Sequence, residues 1–175
     1  MNGRIEMILD GGAVGIGLES TIVDLTGGEP TVLRPGYVTQ EMLEKVLGDV
    51  AVDRTILDGT TAERPKAPGM KYRHYAPKGD LAIVEGEPEA VTEYINRLCA
   101  EAAAAGKKTG VIGTDETFSS YAADSVKTVG SRGDEEAIAR SLYRILREFD
   151  DEEVEVMYSE SFSTYGMGQA IMNRL

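Results

Sequence analysis

The sequence has little of several residue types on which common sites depend: it holds one cysteine, one histidine and no tryptophan in 175 residues. A single cysteine excludes an internal disulfide bond and a zinc site built from several cysteines. No apolar run approaches the ~20 residues that a membrane-spanning helix needs. The first residues, MNGRIEMILDGG, also lack the basic segment and apolar block of a signal peptide. We therefore expect a cytoplasmic protein with no membrane-spanning segment.

Basic residues are also scarce. The chain carries 18 Lys and Arg against 30 Asp and Glu, a net charge of −12, whereas a protein that coats nucleic acid needs a basic surface to release counterions. The exception is residues 64–78, RPKAPGMKYRHYAPK, which hold five Lys or Arg and no Asp or Glu. A basic segment in an acidic protein more often meets a small polyanion, such as a nucleotide, than a long nucleic acid.

Segment 64–78 is predicted to be a loop, because its three prolines and its glycine do not suit a helix interior or a central strand. Tyr72, His74 and Tyr75 offer flat surfaces for stacking, and Arg73 can donate paired hydrogen bonds to a phosphate. The composition is equally consistent with a loop that closes on an anionic, partly flat ligand and with a basic tether lying on an acidic domain.

The first 50 residues show the pattern of a strand, a hairpin and a helix. Alternating apolar positions predict strands at residues 4–9 and 19–25, and the turn sequence TGGEP leads from the second of these to a strand at residues 31–34. Thr39 is a suitable N-cap for a helix that stops at Gly48. So few elements, with open sheet edges, are not expected to form a stable domain by themselves.

Three residues of the predicted hairpin are candidate ligand contacts: Ser20, Thr21 and Arg34 lie at its open ends, where loops commonly hold ligands. Arg34 precedes a proline, which restricts its backbone to extended conformations. Its planar guanidinium matches the geometry of phosphate or carboxylate groups. The alternative is a surface arginine that pairs with a nearby acid, since such pairs are common.

Residues 79–175 alternate strands and helices in the order β-α-β-β-α-β-α, which predicts a mainly parallel sheet covered by helices. Cys99 lies on the apolar stripe of the first helix and is predicted to be a core residue. The predicted strands are residues 81–84, which should be buried, 109–113, 125–129 and 154–158, and the predicted helices are residues 88–105, 134–149 and one that begins at 166.

Two glycine sequences and one acidic run have simple structural explanations. The glycines of residues 11–17 and 166–168 do not complete a dinucleotide-binding G-x-G-x-x-G motif, so we expect a turn or a close packing contact at each. The acidic run at residues 149–155 is predicted to be a solvated turn.

Two sequence words carry a family resemblance: GLESTIVDLTGGEPTVLRPG, and, about 30 residues later, PGMKYRHYAP. In this order they resemble the long, two-domain form of threonylcarbamoyl-AMP synthase. The first word is similar to the end of that family's YrdC-type catalytic core, and the second to its interdomain linker. The closing residues, GMGQAIMNRL, resemble its C-terminal domain. The resemblance implies three parts: residues 1–50 as the end of the core, 51–78 as the linker, and 79–175 as a small Rossmann-like domain.

The resemblance implies a reaction in which L-threonine, bicarbonate and ATP give threonylcarbamoyl-AMP and pyrophosphate, for threonylcarbamoyladenosine formation in tRNA. Ser20 and Thr21 would belong to the threonine or carbamate site, with Thr21 supporting its strand, and Arg34 would face the ATP phosphates. Mg²⁺ would accompany ATP, without a metal site built by the protein. The linker residues implied to cover the nucleotide are Lys71, Tyr72, Arg73, His74 and Tyr75.

The sequence departs from the family in what it does not contain. The Lys-x-Arg and Ser-x-Asn motifs of the family's core belong to a part that precedes the matched words and is not in this sequence. The chain therefore resembles a C-terminal portion, and we predict no adenylate synthesis by this chain alone. The partners implied for the whole enzyme are its three substrates and the tRNA-modification machinery.

Three other expectations remain open at the level of sequence. The Rossmann-like part could be a non-catalytic module that binds a ligand or partner and regulates a separate core protein. Segment 64–78 could contact RNA, although the net charge of −12 opposes this. Strand edges and apolar residues exposed in the first 50 residues favour self-association.

Overall fold

The computed structural model of the protein describes residues 3–12, 15–57 and 76–175. In the first part, a short hairpin is followed by a helix, a third strand and a helical turn. The hairpin strands are antiparallel, and the third strand lies parallel to the second strand. The elements are β1 (Ile22–Asp24), β2 (Thr31–Arg34), α1 (Gln40–Leu47), β3 (Ala51–Val52) and α2 (Arg54–Leu57).

The hairpin and the helix are confirmed, and the helix ends where its capping residues predict. The Thr39 hydroxyl accepts a hydrogen bond from the Met42 amide at 3.3 Å, and Gly48 ends the helix with a φ of 82°. β3 and α2 lie in a stretch that the sequence predicts as linker. A two-residue strand and a single helical turn leave too short a pattern to detect.

The strand predicted at residues 4–9 is wrong: this segment has no regular structure, and Ile8 and Leu9 are 63% and 90% exposed. Alternating apolar residues form a strand only when a neighbouring strand satisfies their backbone groups. No strand among the described residues pairs with this segment.

The second part is a parallel α/β unit, as the sequence predicts. Within the described chain, its four strands lie in the order β4-β7-β5-β6, and every neighbouring pair is parallel. The elements are β4 (Asp80–Val84), α3 (Pro88–Ala104), β5 (Thr109–Gly113), β6 (Ser125–Thr128), α4 (Glu135–Asp151), β7 (Val156–Glu160) and α5 (Met167–Met172), with a 3₁₀ turn at Phe118–Ser120.

One strand is placed differently from the prediction. The apolar run of residues 81–84 predicts a buried strand, but β4 is an edge strand and Ile83 is 37% exposed. Whether a strand lies at the edge or in the centre of a sheet depends on its tertiary contacts, and the residues of the strand alone do not determine it. No helix among the described residues has the length and apolar character to cross a membrane.

The helices cover both faces of the sheet. On one face, α3 buries Ile95 and Cys99 against β5 and β7. Burial raises the pKa of the Cys99 thiol to about 11, so it is a neutral core group as predicted. On the other face, α4 and α5 cover Ile112 and Met157.

The first part, residues 3–12 and 15–57, packs on the second part, residues 76–175, at the face of the sheet that α4 and α5 cover. Leu18 and Tyr37 join the apolar cluster under α4 and α5. Gly17 lies so close to α4 that a Cβ atom there would stand 2.3 Å from the carbonyl oxygen of Ala139. Gly17, the last glycine of the first glycine sequence, is thus at a close packing contact, whereas Gly11, Gly12 and Gly15 have open space around them. Gly168, in the second, packs equally closely on Ser163.

We predict that Ile112→Ala, which empties a fully buried position in the central strand β5, lowers the free energy of unfolding by about 3 kcal/mol. The matched change Ile83→Ala on the half-exposed edge strand should cost about 1 kcal/mol. Urea denaturation followed by circular dichroism measures both values. Equal losses for the two variants would contradict the assigned strand order.

Candidate functional site

Arg34 and Ser20 are joined directly across the hairpin. The Nε of Arg34 donates a hydrogen bond to the carbonyl oxygen of Ser20 at 3.0 Å, and its Nη2 donates to Ser20 Oγ at 3.1 Å. The register pairs Arg34 with Ile22, beside a register shift between Ile22 and Val23, and so brings the guanidinium level with the residue two positions before β1. One edge of the guanidinium therefore fixes both the backbone and the hydroxyl of Ser20, and Ser20 itself is exposed.

Thr21 holds the turn that follows β2. Its hydroxyl donates to the carbonyl oxygen of Val38 at 2.7 Å. Gly36 packs on the same segment, because a Cβ atom there would lie 2.4 Å from the carbonyl oxygen of Glu19 and 2.6 Å from the Thr21 amide nitrogen. Only glycine allows the buried Pro35–Gly36 turn to approach this closely. The three hairpin residues predicted from the sequence thus form one connected group.

Glu19 links this group to the end of the chain. Its carboxylate forms an ion pair with the guanidinium of Arg174, and the two side chains are 25% and 14% exposed. Arg174 follows α5, so the segment that carries Ser20 is attached to the second part of the protein by a charged contact as well as by the packing of Leu18.

The predicted linker residues Lys71, Tyr72, Arg73, His74 and Tyr75 lie outside the described residues. The chain is described again from Ala76, where α4 holds it. Arg147 donates to the carbonyl oxygen of Ala76 at 3.1 Å, and Asp150 accepts from the Lys78 amide at 2.7 Å. The carboxylate of Asp150 also pairs with Arg147 at 3.0 Å.

The acidic run at residues 149–155 is therefore not a simple solvated turn, which corrects the prediction from sequence. Asp150 is only 7% exposed. Glu152 pairs with Lys127 at 2.5 Å, and this contact lowers the pKa of Glu152. A buried carboxylate needs such partners, and these come from the linker exit and from β6.

A second polar cluster lies at the carboxyl ends of the parallel strands. Glu160, at the end of β7, is 2% exposed; it accepts a hydrogen bond from the Tyr121 hydroxyl at 2.8 Å and pairs with Arg132. Glu116 accepts hydrogen bonds from the Ser131 hydroxyl and the Arg132 amide, which lower its pKa to about 2. Glu160 and Arg132 neutralise each other, and Glu116 is held by the Ser131 hydroxyl and the Arg132 amide.

A groove of about 620 Å³ lies between the two parts of the protein. Ser20, Thr21 and Arg34 are not among the described residues that line it. The lining comes from α1, β3, α2 and the segment around α5: Gln40, Glu41, Val52, Ile56, Thr164, Tyr165, Gly166, Gln169, Met172 and Asn173.

Sequence reasoning missed Glu19, Arg174, Arg147 and Asp150 as parts of this arrangement. Glu19 and Arg174 are about 155 positions apart, and no local pattern connects residues at such a separation. Asp150 carried one usable signal: an acid at a helix C-terminus is unfavourable unless a cation or donor is close.

Comparisons with known proteins agree with this architecture. Residues 38–175 match the family model described as "Threonylcarbamoyl-AMP synthase, C-terminal domain". The threonylcarbamoyl-AMP synthase of Bacillus subtilis is 45% identical over all 175 residues, which cover 49% of its own length. That of Pyrococcus abyssi is 44% identical over 99% of this chain and 49% of its own length. The chain thus spans about half the length of the curated relatives it matches.

Two solved structures share the fold over 99% of this chain. P. abyssi Sua5 complexed with L-threonine superimposes with a TM-score of 0.86 at 40% identity, covering 49% of that chain. A variant of the same protein, in which a histidine and the tyrosine after it are replaced by alanine, gives a TM-score of 0.89 at 42% identity and covers 48% of that chain. On the matched domain, the relatives and the shared fold, this chain belongs to the threonylcarbamoyl-AMP synthase family.

Proposed function

We propose that this chain supplies one side of an active site that makes threonylcarbamoyl-AMP from L-threonine, bicarbonate and ATP, as a cytoplasmic step of tRNA modification. The observation that carries the proposal is the double hydrogen bond from Arg34 to Ser20. It holds an exposed hydroxyl and a cation together on a rigid hairpin, and the relative solved with L-threonine shares this fold.

The residue types suit the chemistry. A carbamate oxygen of N-carboxy-threonine attacks the α-phosphorus of ATP; a new P–O bond forms, the bond to the β-phosphate breaks, and pyrophosphate leaves with the electron pair. Two anions must approach each other, so cationic groups are needed to offset their repulsion. Arg34 serves this purpose beside Ser20, which contacts the threonine or its carbamate.

Thr21 has a supporting role in this proposal. Its hydroxyl is engaged with the Val38 carbonyl at 2.7 Å, so it stabilises the turn after β2. Mg²⁺ would arrive on the ATP phosphates as part of the substrate. No group of three or more His, Cys, Asp or Glu is placed to hold a metal ion within the part of the chain that the structure describes.

The linker completes the proposed site as a cover over the nucleotide. Lys71, Tyr72, Arg73, His74 and Tyr75 provide cations and flat rings. His74–Tyr75 is the only His-Tyr pair in this sequence, and a variant lacking such a pair was solved for the P. abyssi relative. A cover that excludes water has a clear use, because a carboxylated amine is labile in water.

Exposed apolar residues support the idea that further protein packs on the first part. Met7, Ile8 and Leu9 are 74%, 63% and 90% exposed. Such a cluster marks an interaction surface. We propose that the other half of the catalytic core covers it; the self-association expected of the chain alone stays a prediction.

The function is tested by release of pyrophosphate from ATP with L-threonine and bicarbonate present. The chain alone should show none. This chain should next be fused to the half of the B. subtilis relative that it does not match. The fusion should release pyrophosphate only when threonine is added. An inactive fusion beside an active B. subtilis enzyme would overturn the proposal, as would full activity of the chain alone.

Replacement of Arg34 is expected to impair that activity strongly. Arg34→Ala removes both bonds to Ser20 and should lower kcat/KM for threonine about 100-fold, because small displacements of positioning groups have effects of this size. Arg34→Lys, which cannot make the paired bonds, should recover little. Arg54→Ala, at an exposed position on α2, is the control. Unchanged kinetics in Arg34→Ala would remove Arg34 from the site.

The anchoring of the linker exit should affect ATP more than threonine. Asp150→Ala removes the acceptor of the Lys78 amide, and we expect KM for ATP to rise about tenfold, in line with the value of a charge-assisted hydrogen bond. Asp151→Ala, at an exposed neighbouring position, should leave KM unchanged. Steady-state kinetics at saturating threonine measure both, and equal effects would contradict a specific anchor.

A further inference from the structure

Arg174, next to the last residue of the sequence, contacts the segment that carries Ser20. Its guanidinium pairs with Glu19, and with 14% and 25% of the side chains exposed, the pair is largely sheltered from water. Sheltered charges are screened less than surface charges, so added salt should weaken this contact less than an ordinary surface ion pair. Glu19 is the residue immediately before Ser20.

Both ends of the contact are rigid. On one side, α5 buries Met167, Ala170 and Ile171 in the core, and the Arg174 amide donates to the Ile171 carbonyl at 3.0 Å. On the other side, Gly17 is packed against the backbone of α4, and Leu18 is packed in the apolar cluster beneath it. Each partner therefore directly follows a segment that is packed on the core of the second part.

A continuous series of contacts therefore runs from the second part to the proposed substrate site. Arg174 holds Glu19, which is covalently joined to Ser20, and Ser20 is held from the other side by Arg34 on β2. Arg34 holds the Ser20 hydroxyl directly, and Arg174 holds the side chain of the residue before it. Arg34 fixes one side of the segment, Gly36 packs on the carbonyl oxygen of Glu19, and Arg174 holds the Glu19 side chain.

We propose that Arg174 is a positioning residue for the threonine site: through Glu19 it sets the place of Ser20 relative to Arg34. This inference rests on the proposed function and gives the parallel α/β part a specific task in it. Arg174 contacts neither threonine nor ATP in this scheme, and its effect is transmitted through Glu19.

The first test uses this chain as it is and measures amide hydrogen exchange by mass spectrometry. Arg174→Ala should speed exchange of the peptide spanning residues 17–24 about tenfold, since local contacts govern local opening. The central strand β5, Thr109–Gly113, should be unaffected. The exchanged pair Glu19→Arg with Arg174→Glu should restore slow exchange. Arg97→Ala, which removes an exposed arginine on α3, is the control.

The second test measures kinetics in the fusion described above. Arg174→Ala should raise KM for threonine about tenfold, within the usual range of coupling between sites, while KM for ATP stays within about twofold. The exchanged pair should recover most of the loss. A residue with only a structural role would lower the amount of folded enzyme and leave KM unchanged.

The outcomes separate the two proposals. Unchanged exchange in Arg174→Ala overturns the positioning role whatever the fusion does. Faster exchange with an unchanged KM for threonine also overturns it, because the pair would then be structural. A fusion without threonine-dependent activity overturns the proposed function and, with it, the positioning role. In that case, faster exchange at residues 17–24 would show only that the ion pair between Arg174 and Glu19 stabilises this segment.

Discussion

The burial of both faces of the parallel sheet is the constraint on which the rest of the structure depends. A parallel sheet exposes apolar side chains on two sides, so each side needs a layer of helices. α3 covers one face together with Tyr121, whereas α4 and α5 cover the other together with Leu18 and Tyr37 from the first part. The residues on either side of the hairpin are therefore packed against the core of the second unit.

This shared core explains how a short hairpin can hold a site. A two-stranded ribbon is at best marginally stable alone. Here its first strand is preceded by Gly17 and Leu18, which are packed on α4, and by Glu19, which is paired with Arg174. The candidate residues Ser20 and Arg34 therefore gain a fixed geometry from the packing against α4 and from Arg174. Functional residues commonly lie on loops that a rigid framework positions in this way.

The same helix holds two different segments of the chain. The N-terminal third of α4, at Ala139, contacts Gly17, and its C-terminal end, at Arg147 and Asp150, holds the linker exit at Ala76 and Lys78. In the proposed function one segment contacts threonine and the other leads into the cover over ATP. α4 is thus in contact with both of these segments, and this gives a physical reason for the two parts to occur together in one chain.

The sequence by itself determined the local structures and the family. Alternation and capping residues predicted the β1–β2 hairpin, α1 with its Thr39 cap, and the order of strands and helices after residue 79, because these depend on neighbours within a few positions. The first of the two sequence words contains the candidate site residues Ser20, Thr21 and Arg34, whose role stays a prediction. Only the tertiary structure decided that residues 4–9 lack a partner strand, that β4 lies at the sheet edge, that Asp150 is buried, and that Arg174 meets Glu19. Each of these depends on which distant surfaces come together, and the free energy of such contacts is set by burial and pairing that no local pattern records.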